Sequence, residues 1–242
     1  MTEWQSGSFN GSSDHHLEVN DLRVAFLLDG EPVLDLDRIV LPPGAQVALT
    51  GPSGSGKTTL AYALTGILVP DRGEVRWGEV VLGRLSEGRR DAWRRMNVGL
   101  VFQDFHLVPG LSPLGNVLAP CYFTALRPTG REVERARELL ELVEVPAIRA
   151  DVAQLSRGEQ QRVAVARALF RDPPIIVADE PTASLDEANA TRIIDLLTAA
   201  ARERGRTLIA VTHDRALIER MESVIRLERG RAVATTPPPG VQ

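Results

Sequence analysis

The sequence has 242 residues, of which 43% are hydrophobic and 25% charged, which predicts one globular domain with room for a subdomain. The net charge of −4 and the pI near 5.7 argue against a nucleic-acid-binding surface. A single cysteine, Cys121, excludes a disulfide within the chain, and no stretch approaches the roughly 18 consecutive apolar residues of a membrane span.

Both ends of the sequence have the composition of tails. Residues 1–16 are rich in Ser and Gly and lack the apolar run of a signal peptide, and residues 235–242 include three consecutive prolines. We expect both segments to be disordered and residues 17–234 to form the ordered domain.

Strands and helices alternate along that domain, with a helical interruption. Residues 17–26, 31–40, 45–50, 73–83 and 96–103 are predicted as strands or extended segments, 57–68 as a helix, and 104 to about 171 as a helical subdomain. The pattern then resumes with strands at 174–180 and 207–213 around a helix at 186–205. Such alternation predicts an α/β fold with a mainly parallel sheet covered on both faces.

The notable polar residues follow predicted strands, where a parallel sheet places its ligands. They are Gly51, Gln103, Asp179, Glu180 and His213.

The stretch GPSGSGKTT at 51–59 fits the phosphate-loop pattern and lies between a predicted strand and a predicted helix. Its glycines allow backbone N–H groups to surround phosphate oxygens at a helix N-terminus. Lys57, the chain's only lysine, is predicted to reach the β- and γ-phosphates, and the Thr58 hydroxyl to bind Mg²⁺. The other candidate nucleotide-binding residues of this loop are Gly51, Ser53, Gly54, Ser55, Gly56 and Thr59.

Two acids and two further polar residues complete the predicted catalytic set. Asp179 is the candidate Mg²⁺ ligand, and Glu180 is the candidate base for the attacking water. His213 is placed to bond the γ-phosphate or that water, and Gln103 to contact Mg²⁺ or water. Ordinary alternatives remain for all four residues. Asp179 and Glu180 could be two acids in a loop, His213 a structural histidine, and Gln103 a glutamine with no part in the site.

A second polar turn, LSRGEQQR at 155–162, opens into an apolar helix. Ser156 and Glu159 have the spacing of a capping box, as Thr129 and Glu132 have earlier in the chain. The simple interpretation is a well-capped helix start.

Taken together, GPSGSGKTT, Gln103, LSRGEQQR, VADEP, the SLD at 184–186 and His213 resemble the ATP-binding subunits of ABC transporters over about residues 17–233. The resemblance implies a P-loop NTPase core with an antiparallel β part on its N-terminal side and a helical subdomain. It also implies ATP hydrolysis with Mg²⁺. We call residues 155–159 the signature turn.

In that family two subunits pack head to tail around two ATP molecules. The resemblance therefore implies that Ser156 and the Gly158 amide contact ATP held by the other subunit, with Asp186 at the same interface. The second subunit would be a copy of this chain or a close relative. Phe26 stands where relatives often stack an aromatic ring on adenine, the alternative being a core aromatic.

The resemblance also implies a separate membrane-spanning subunit and a peripheral location on the cytoplasmic face of the inner membrane. Four apolar residues after Gln103 would receive that subunit or instead belong to the subdomain core: Phe105, Leu107, Val108 and Leu111. The sequences of these motifs are most similar to those of the lipoprotein-release, macrolide-efflux and cell-division ATPases. This similarity indicates export or mechanical work on the envelope. An importer, for example of amino acids, is the alternative, followed by a soluble ABC ATPase; no nucleic acid is expected.

One residue departs clearly from the family's usual LSGGQ turn. Arg157 replaces its first glycine, and a bulky side chain there would be strained if the position required a positive φ. We expect activity to be retained, because the contacts come from Ser156 and Gly158.

Overall fold

Two β-sheets organise the chain, which the computed structural model describes over residues 15–26, 31–123, 127–147 and 151–236. Most of the predicted N-terminal tail, residues 1–14, and residues 237–242 of the predicted C-terminal tail lie outside this part of the chain.

The first sheet is antiparallel and has the order β2-β1-β4-β5. Its strands are β1 (Leu17–Val24), β2 (Leu34–Leu41), β4 (Arg72–Trp77) and β5 (Val80–Val81). Buried and more exposed residues largely alternate along β1 and β2, because one face covers the core and the other meets solvent.

The second sheet has the order β10-β9-β3-β8-β7-β6, and every neighbouring pair is parallel except β10 with β9. Its strands are β3 (Gln46–Thr50), β6 (Val98–Val101), β7 (Ile175–Asp179), β8 (Thr207–Val211), β9 (Ser223–Glu228) and β10 (Arg231–Thr236). All residues of β7 and β8 are buried, so these strands are covered on both faces.

Helices connect and cover the strands. They are α1 (Lys57–Leu64), α2 (Glu87–Asn97), α3 (Pro113–Leu118), α4 (Gly130–Leu142), α5 (Arg157–Leu169), α6 (Glu187–Glu203) and α7 (Arg215–Ile218). Both predicted capping boxes form, Thr129 with Glu132 on α4 and Ser156 with Glu159 on α5. No helix in the described part of the chain is long and apolar enough to cross a bilayer.

Two apolar cores lie on opposite faces of the second sheet. In β7, Ile176 and Ala178 pack with the helical segment, whereas Ile175 and Val177 pack with α1 and the first sheet. The period-2 alternation of a strand thus lets one buried strand serve both cores. The end of β7 is consequently held firmly between them.

Several element boundaries differ from those predicted. Met96 and Asn97, expected to begin a strand, are the last residues of α2, which was not predicted. The α2 sequence is strongly charged and buries only Trp93, so few apolar residues mark its inner face. The helix expected at 57–68 ends at Leu64. It stops there because Gly66, two residues later, adopts a left-handed φ of 68°.

The C-terminal hairpin of β9 and β10 was also missed. It extends to Thr236, two residues beyond the expected end of the domain at 234. In the helical segment, Phe105 is buried and Leu107 packs on the core, whereas Val108 and Leu111 are exposed. The subdomain-core interpretation therefore holds for Phe105 and Leu107, and contact of Val108 and Leu111 with a membrane subunit stays a prediction.

Trp77 ties the first sheet to α1, because its buried indole N–H donates to the Leu64 carbonyl at 2.8 Å. Trp77→Phe should lower the free energy of unfolding by about 1–3 kcal/mol, since it removes volume and leaves that carbonyl unpaired. Chemical denaturation followed by circular dichroism measures the change. Trp93→Phe is the control, because the buried Trp93 indole makes no such bond within the described residues; equal losses in both variants would contradict the role of the hydrogen bond.

Candidate active site

The predicted polar residues meet at one edge of the second sheet. The parallel strands β3, β7 and β8 end there together, with Gly51 following β3, Glu180 following β7 and His213 two residues beyond β8. This register explains how residues more than a hundred positions apart in sequence form one site.

Glycines shape the phosphate loop between β3 and α1. Gly51, Gly54 and Gly56 have φ values of 142°, 75° and 96°, a region that disfavours other residues. A Cβ on Gly51 would lie 2.1 Å from the Leu227 carbonyl oxygen, whereas one on Gly54 would meet nothing within 4 Å. The loop is thus packed against the protein at its start and open at its centre, where Ser53 is also exposed.

The open N-terminus of α1 faces this loop. Gly56 is its N-cap and supplies no side-chain hydrogen bond, so the first amides of α1 keep their capacity to bind an anion. Within the loop, Ser55 and Gly56 are buried and Thr59 is half-buried. The Lys57 ammonium donates to the carbonyl oxygens of Gly51 at 3.0 Å and Pro52 at 2.9 Å. The cation therefore lies across the mouth of the loop.

Asp179 lies at the buried end of β7, 6% exposed, and accepts a hydrogen bond from the Thr58 hydroxyl at 3.3 Å. Burial raises the pKa of the Asp179 carboxyl, the Thr58 hydrogen bond opposes that rise, and the neighbouring Glu180 charge adds to it. The structure thus brings two of the three candidate Mg²⁺ ligands into contact, whereas Gln103 is not among their partners in the described part of the chain.

Glu180 and His213 also come together, with His213 Nδ1 2.9 Å from Glu180 Oε2. The Glu180 side chain is 16% exposed and that of His213 79% exposed. Glu180 adopts a left-handed φ of 46°, and its amide donates to the Val211 carbonyl at 2.8 Å. This backbone bond to β8 holds the carboxylate at the edge of the sheet.

Gln103 and Phe26 lie further out. Gln103 is exposed in the turn after β6, and within the described residues no hydrogen bond joins its side chain to Thr58 or Asp179. Phe26 follows β1 with 67% of its surface exposed, so the alternative of a core aromatic is wrong.

The signature turn forms the start of α5. The Ser156 hydroxyl accepts from the Glu159 amide at 3.3 Å, and the Glu159 carboxylate accepts from the Ser156 amide and hydroxyl, each at 2.8 Å. Arg157 is not among the residues with positive φ, so a side chain there causes no backbone strain. Ser156 is exposed and Gly158 buried.

Gly158 is buried against the start of α6. A Cβ at this position would lie 2.5 Å from the Asn189 side chain. Asn189 in turn donates to the Asp186 carboxylate at 2.7 Å and accepts from the Arg162 guanidinium at 3.0 Å. Asp186 is the N-cap of α6, and the hydrogen bond from the backbone amide of Asn189 lowers the pKa of its carboxyl.

A second contact joins α5 to the segment after Glu180. Gln161 is 1% exposed, and its side-chain amide donates to the Pro181 carbonyl at 2.8 Å. Gln161, Arg162 and Asn189 were not predicted as site residues. Polar residues on the buried face of an otherwise apolar helix were the available signal, because such groups need partners.

The residue set fits Mg²⁺ bound together with nucleotide phosphates. Thr58 and Asp179 offer hard oxygen ligands at the foot of an anion-binding loop, and Mg²⁺ is typically bound through one or two protein oxygens, phosphates and water. The described residues contain no cluster of three His, Cys, Asp or Glu side chains that would form a complete protein cage.

Comparison with known proteins gives consistent matches. A family model described as ABC transporter matches residues 36–183, and one described as AAA domain, putative AbiEii toxin, Type IV TA system, matches residues 148–219. The chain is 39% identical over 197 residues to the lipoprotein-releasing system ATP-binding protein LolD of Legionella pneumophila (strain Paris), covering 81% of this chain and 86% of that protein. It is 40% identical over 205 residues to the macrolide export ATP-binding/permease protein MacB of Sodalis glossinidius (strain morsitans), covering 84% of this chain and 31% of that protein.

Solved structures agree with the fold. An ATP-binding cassette solved as a dimer in a post-hydrolysis state with ADP and Pi superposes with a TM-score of 0.84 at 34% identity, covering 93% of this chain and all of that one. The cbiO1 protein from Clostridium perfringens, part of the ABC transporter complex cbiONQ, gives 0.81 at 27% identity, covering 93% and 89% of the two chains. The predicted fold class is confirmed.

The buried charge of Asp179 should make the nucleotide-free protein less stable as pH rises. When folding raises the pKa of a carboxyl, the folded protein loses stability as pH rises through that pKa. Asp179→Asn removes this loss and keeps an acceptor for the Thr58 hydroxyl. We expect Asp179→Asn to raise the melting temperature, and by more at pH 7 than at pH 4, because the penalty for the buried charge fades as pH falls toward the ordinary pKa of the carboxyl. Differential scanning calorimetry without nucleotide measures this.

The matched control is Asp37→Asn, which alters an exposed carboxylate on β2 and should leave the melting temperature nearly constant at both pH values. A lower melting temperature for Asp179→Asn at both pH values would show that its ionised form stabilises the fold.

Proposed function

The chain belongs to the ABC transporter family as an ATP-binding, ATP-hydrolysing subunit, and from this premise we propose that it drives export or mechanical work at the cell envelope through a separate membrane protein. The contact between Glu180 and His213 at the edge of the phosphate loop carries the proposal for hydrolysis. The similarity to LolD and MacB supports export over import.

The phosphate loop and α1 bind the triphosphate. The amides of residues 54–58 point their dipoles at the phosphate oxygens, and Lys57 exchanges the carbonyls of Gly51 and Pro52 for the β- and γ-phosphates. The exposed ring of Phe26 offers a face on which adenine stacks. Thr58 and Asp179 would hold Mg²⁺, which would supply positive charge to offset that of the phosphates.

Glu180 acts on the attacking water. Its carboxylate accepts a proton from that water, while His213 at 2.9 Å orients the carboxylate and extends toward the γ-phosphate. Gln103 lies in a turn that can approach Mg²⁺ or the water when nucleotide is present. Most of the catalysis comes from positioning and electrostatic stabilisation, as in other phosphoryl transfers.

The site is completed by a second subunit. Ser156 is exposed on α5 of the same chain, where it is available to another molecule. A head-to-tail dimer places the Ser156 hydroxyl and the Gly158 amide of one subunit at the γ-phosphate bound by the other, with Asp186 at the interface. The dimeric cassettes among the structural relatives support this arrangement.

The membrane subunit binds beside the turn after Gln103, at the cytoplasmic face of the membrane. Val108, Leu111, Tyr122 and Phe123 expose apolar side chains in this region, with Phe123 79% exposed. Such a group is the expected chemistry for a protein partner. The named role of LolD in a lipoprotein-releasing system supports a membrane partner that works on the envelope.

Glu180→Gln should bind ATP with Mg²⁺ and form a stable dimer, but hydrolyse ATP at least about a hundredfold more slowly, because the amide cannot accept the proton. Phosphate release and light scattering measure the two properties. Glu138→Gln, on the exposed face of α4, is the control and should keep normal turnover. Unchanged turnover in Glu180→Gln would refute the role of base.

The ATP-locked Glu180→Gln dimer should also recover the membrane partner from gently solubilised native membranes, with identification by mass spectrometry. Leu111→Glu should reduce this recovery severalfold, whereas Leu142→Glu, at an exposed position on α4, should not. A partner with a large extracytoplasmic domain would support export or mechanical work. A compact multi-span permease would favour import, and soluble proteins alone would contradict a transport role.

A further inference from the structure

Arg157, the residue that departs from the usual signature turn, packs on an aromatic ring of the same subunit. Its guanidinium carbon lies 5.0 Å from the centroid of the Phe105 ring. This is cation–π geometry. Arg157 is exposed, whereas Phe105 is only 6% exposed. An exposed cation therefore lies on a buried ring.

Phe105 is fixed in the loop that follows Gln103. Phe105 and His106 both have left-handed φ values, 59° and 45°. The Arg167 guanidinium donates to their two carbonyl oxygens, each at 2.5 Å. Arg167 lies on α5, the same helix that begins with Arg157. Burial lowers the pKa of the Arg167 guanidinium. The helix therefore holds this loop at two points three turns apart.

Aromatic contacts continue from this loop to the phosphate-binding helix. His106 lies edge-on to Phe102 at 4.8 Å, and Phe102 lies edge-on to Tyr62 of α1 at 6.4 Å. Tyr62 lies on α1, whose N-terminus faces the phosphate loop. The ring contacts thus join the phosphate-binding helix to the loop on which Arg157 packs.

We propose that Arg157 is a positioning residue: through Phe105 it couples nucleotide binding in its own subunit to the signature turn that closes on the nucleotide of the other subunit. The inference rests on the proposed dimeric ATPase. The ring contact ties the Arg157 guanidinium, and with it the start of α5, to the Gln103 loop, so a shift of this loop on nucleotide binding would be passed to the signature turn. A glycine at position 157 offers no such connection.

The size of the effect follows from the contact. A cation–π contact at an exposed site corresponds to about a two- to fivefold change in an equilibrium constant, larger only where the cation is desolvated. Arginine suits this position better than lysine because its planar guanidinium stacks on a ring face. Lysine should therefore retain part of the coupling.

The test compares variants in the Glu180→Gln background, in which ATP locks the dimer. Arg157→Met keeps the apolar stem and removes the cation, and we expect it to raise the dimer dissociation constant about two- to fivefold. Affinity of the monomer for a fluorescent ATP analogue, measured below the dimerisation range, and the melting temperature should not change. Arg157→Lys should restore part of the dimerisation, which loss of a helix-start contact alone would not predict.

Phe105 variants determine whether the ring mediates the effect. Phe105→Leu should weaken dimerisation as Arg157→Met does, and the double variant should be no weaker than either single one. Phe105→Tyr keeps the ring face and should behave as the parent, which separates loss of the contact from loss of packing. Arg131→Met, at the exposed start of α4 beside the matching capping box, is the control and should have no effect.

Three results would overturn the inference. The first is dimerisation unaffected by Arg157→Met. The second is an effect of Arg157→Met that Phe105→Leu does not share, which would mean that the guanidinium acts on the other subunit's phosphate directly. The third is independent, additive effects of the two substitutions. Failure of the parent Glu180→Gln chain to dimerise with ATP is a different outcome, since it removes the proposed function and the inference with it.

Discussion

The hydrogen bond between the Thr58 hydroxyl and the Asp179 carboxylate joins the first turn of α1 to the end of β7, and the active site is built around it. β7 lies between two apolar cores, so its end cannot move without disturbing both. The phosphate loop is attached to the same frame through α1. A carboxylate is thereby held in a buried setting that favours its neutral form, so a cation bound beside it would offset the cost of its charge.

Glu180 shows how the frame supports an unfavourable backbone conformation. Its left-handed φ is disfavoured for a residue with a side chain, yet its amide bonds to β8 and the following residue's carbonyl accepts from Gln161 on α5. The signature helix therefore helps to hold the catalytic loop of its own subunit. In the proposed dimer, each copy of α5 would contribute to two sites, its own through buried contacts and the other subunit's through exposed ones.

Local patterns in the sequence predicted the phosphate loop, both capping boxes and the parallel strands, because each depends on neighbouring residues or on strand periodicity. The charged α2, which buries only Trp93, and the hairpin of β9 and β10 were not predicted. The contacts of Gln161 with Pro181, and of Arg157 with Phe105, join residues 20 and 52 positions apart, as their numbers give, and depend on how α5 packs. Pairings of this kind are set by tertiary structure, and a single sequence carries little trace of them.

Gly158 illustrates how easily the role of one residue is misread. Its hydrogen atom faces Asn189, which orders the N-cap of α6 through Asp186, so the missing side chain matters inside the subunit as well as at the dimer interface. Any substitution here would displace Asn189 and disturb Asp186 before a second subunit arrived. Loss of function in a Gly158 variant would therefore not diagnose lost phosphate binding, and a harmful allele at this codon would be equally consistent with a misplaced interface loop.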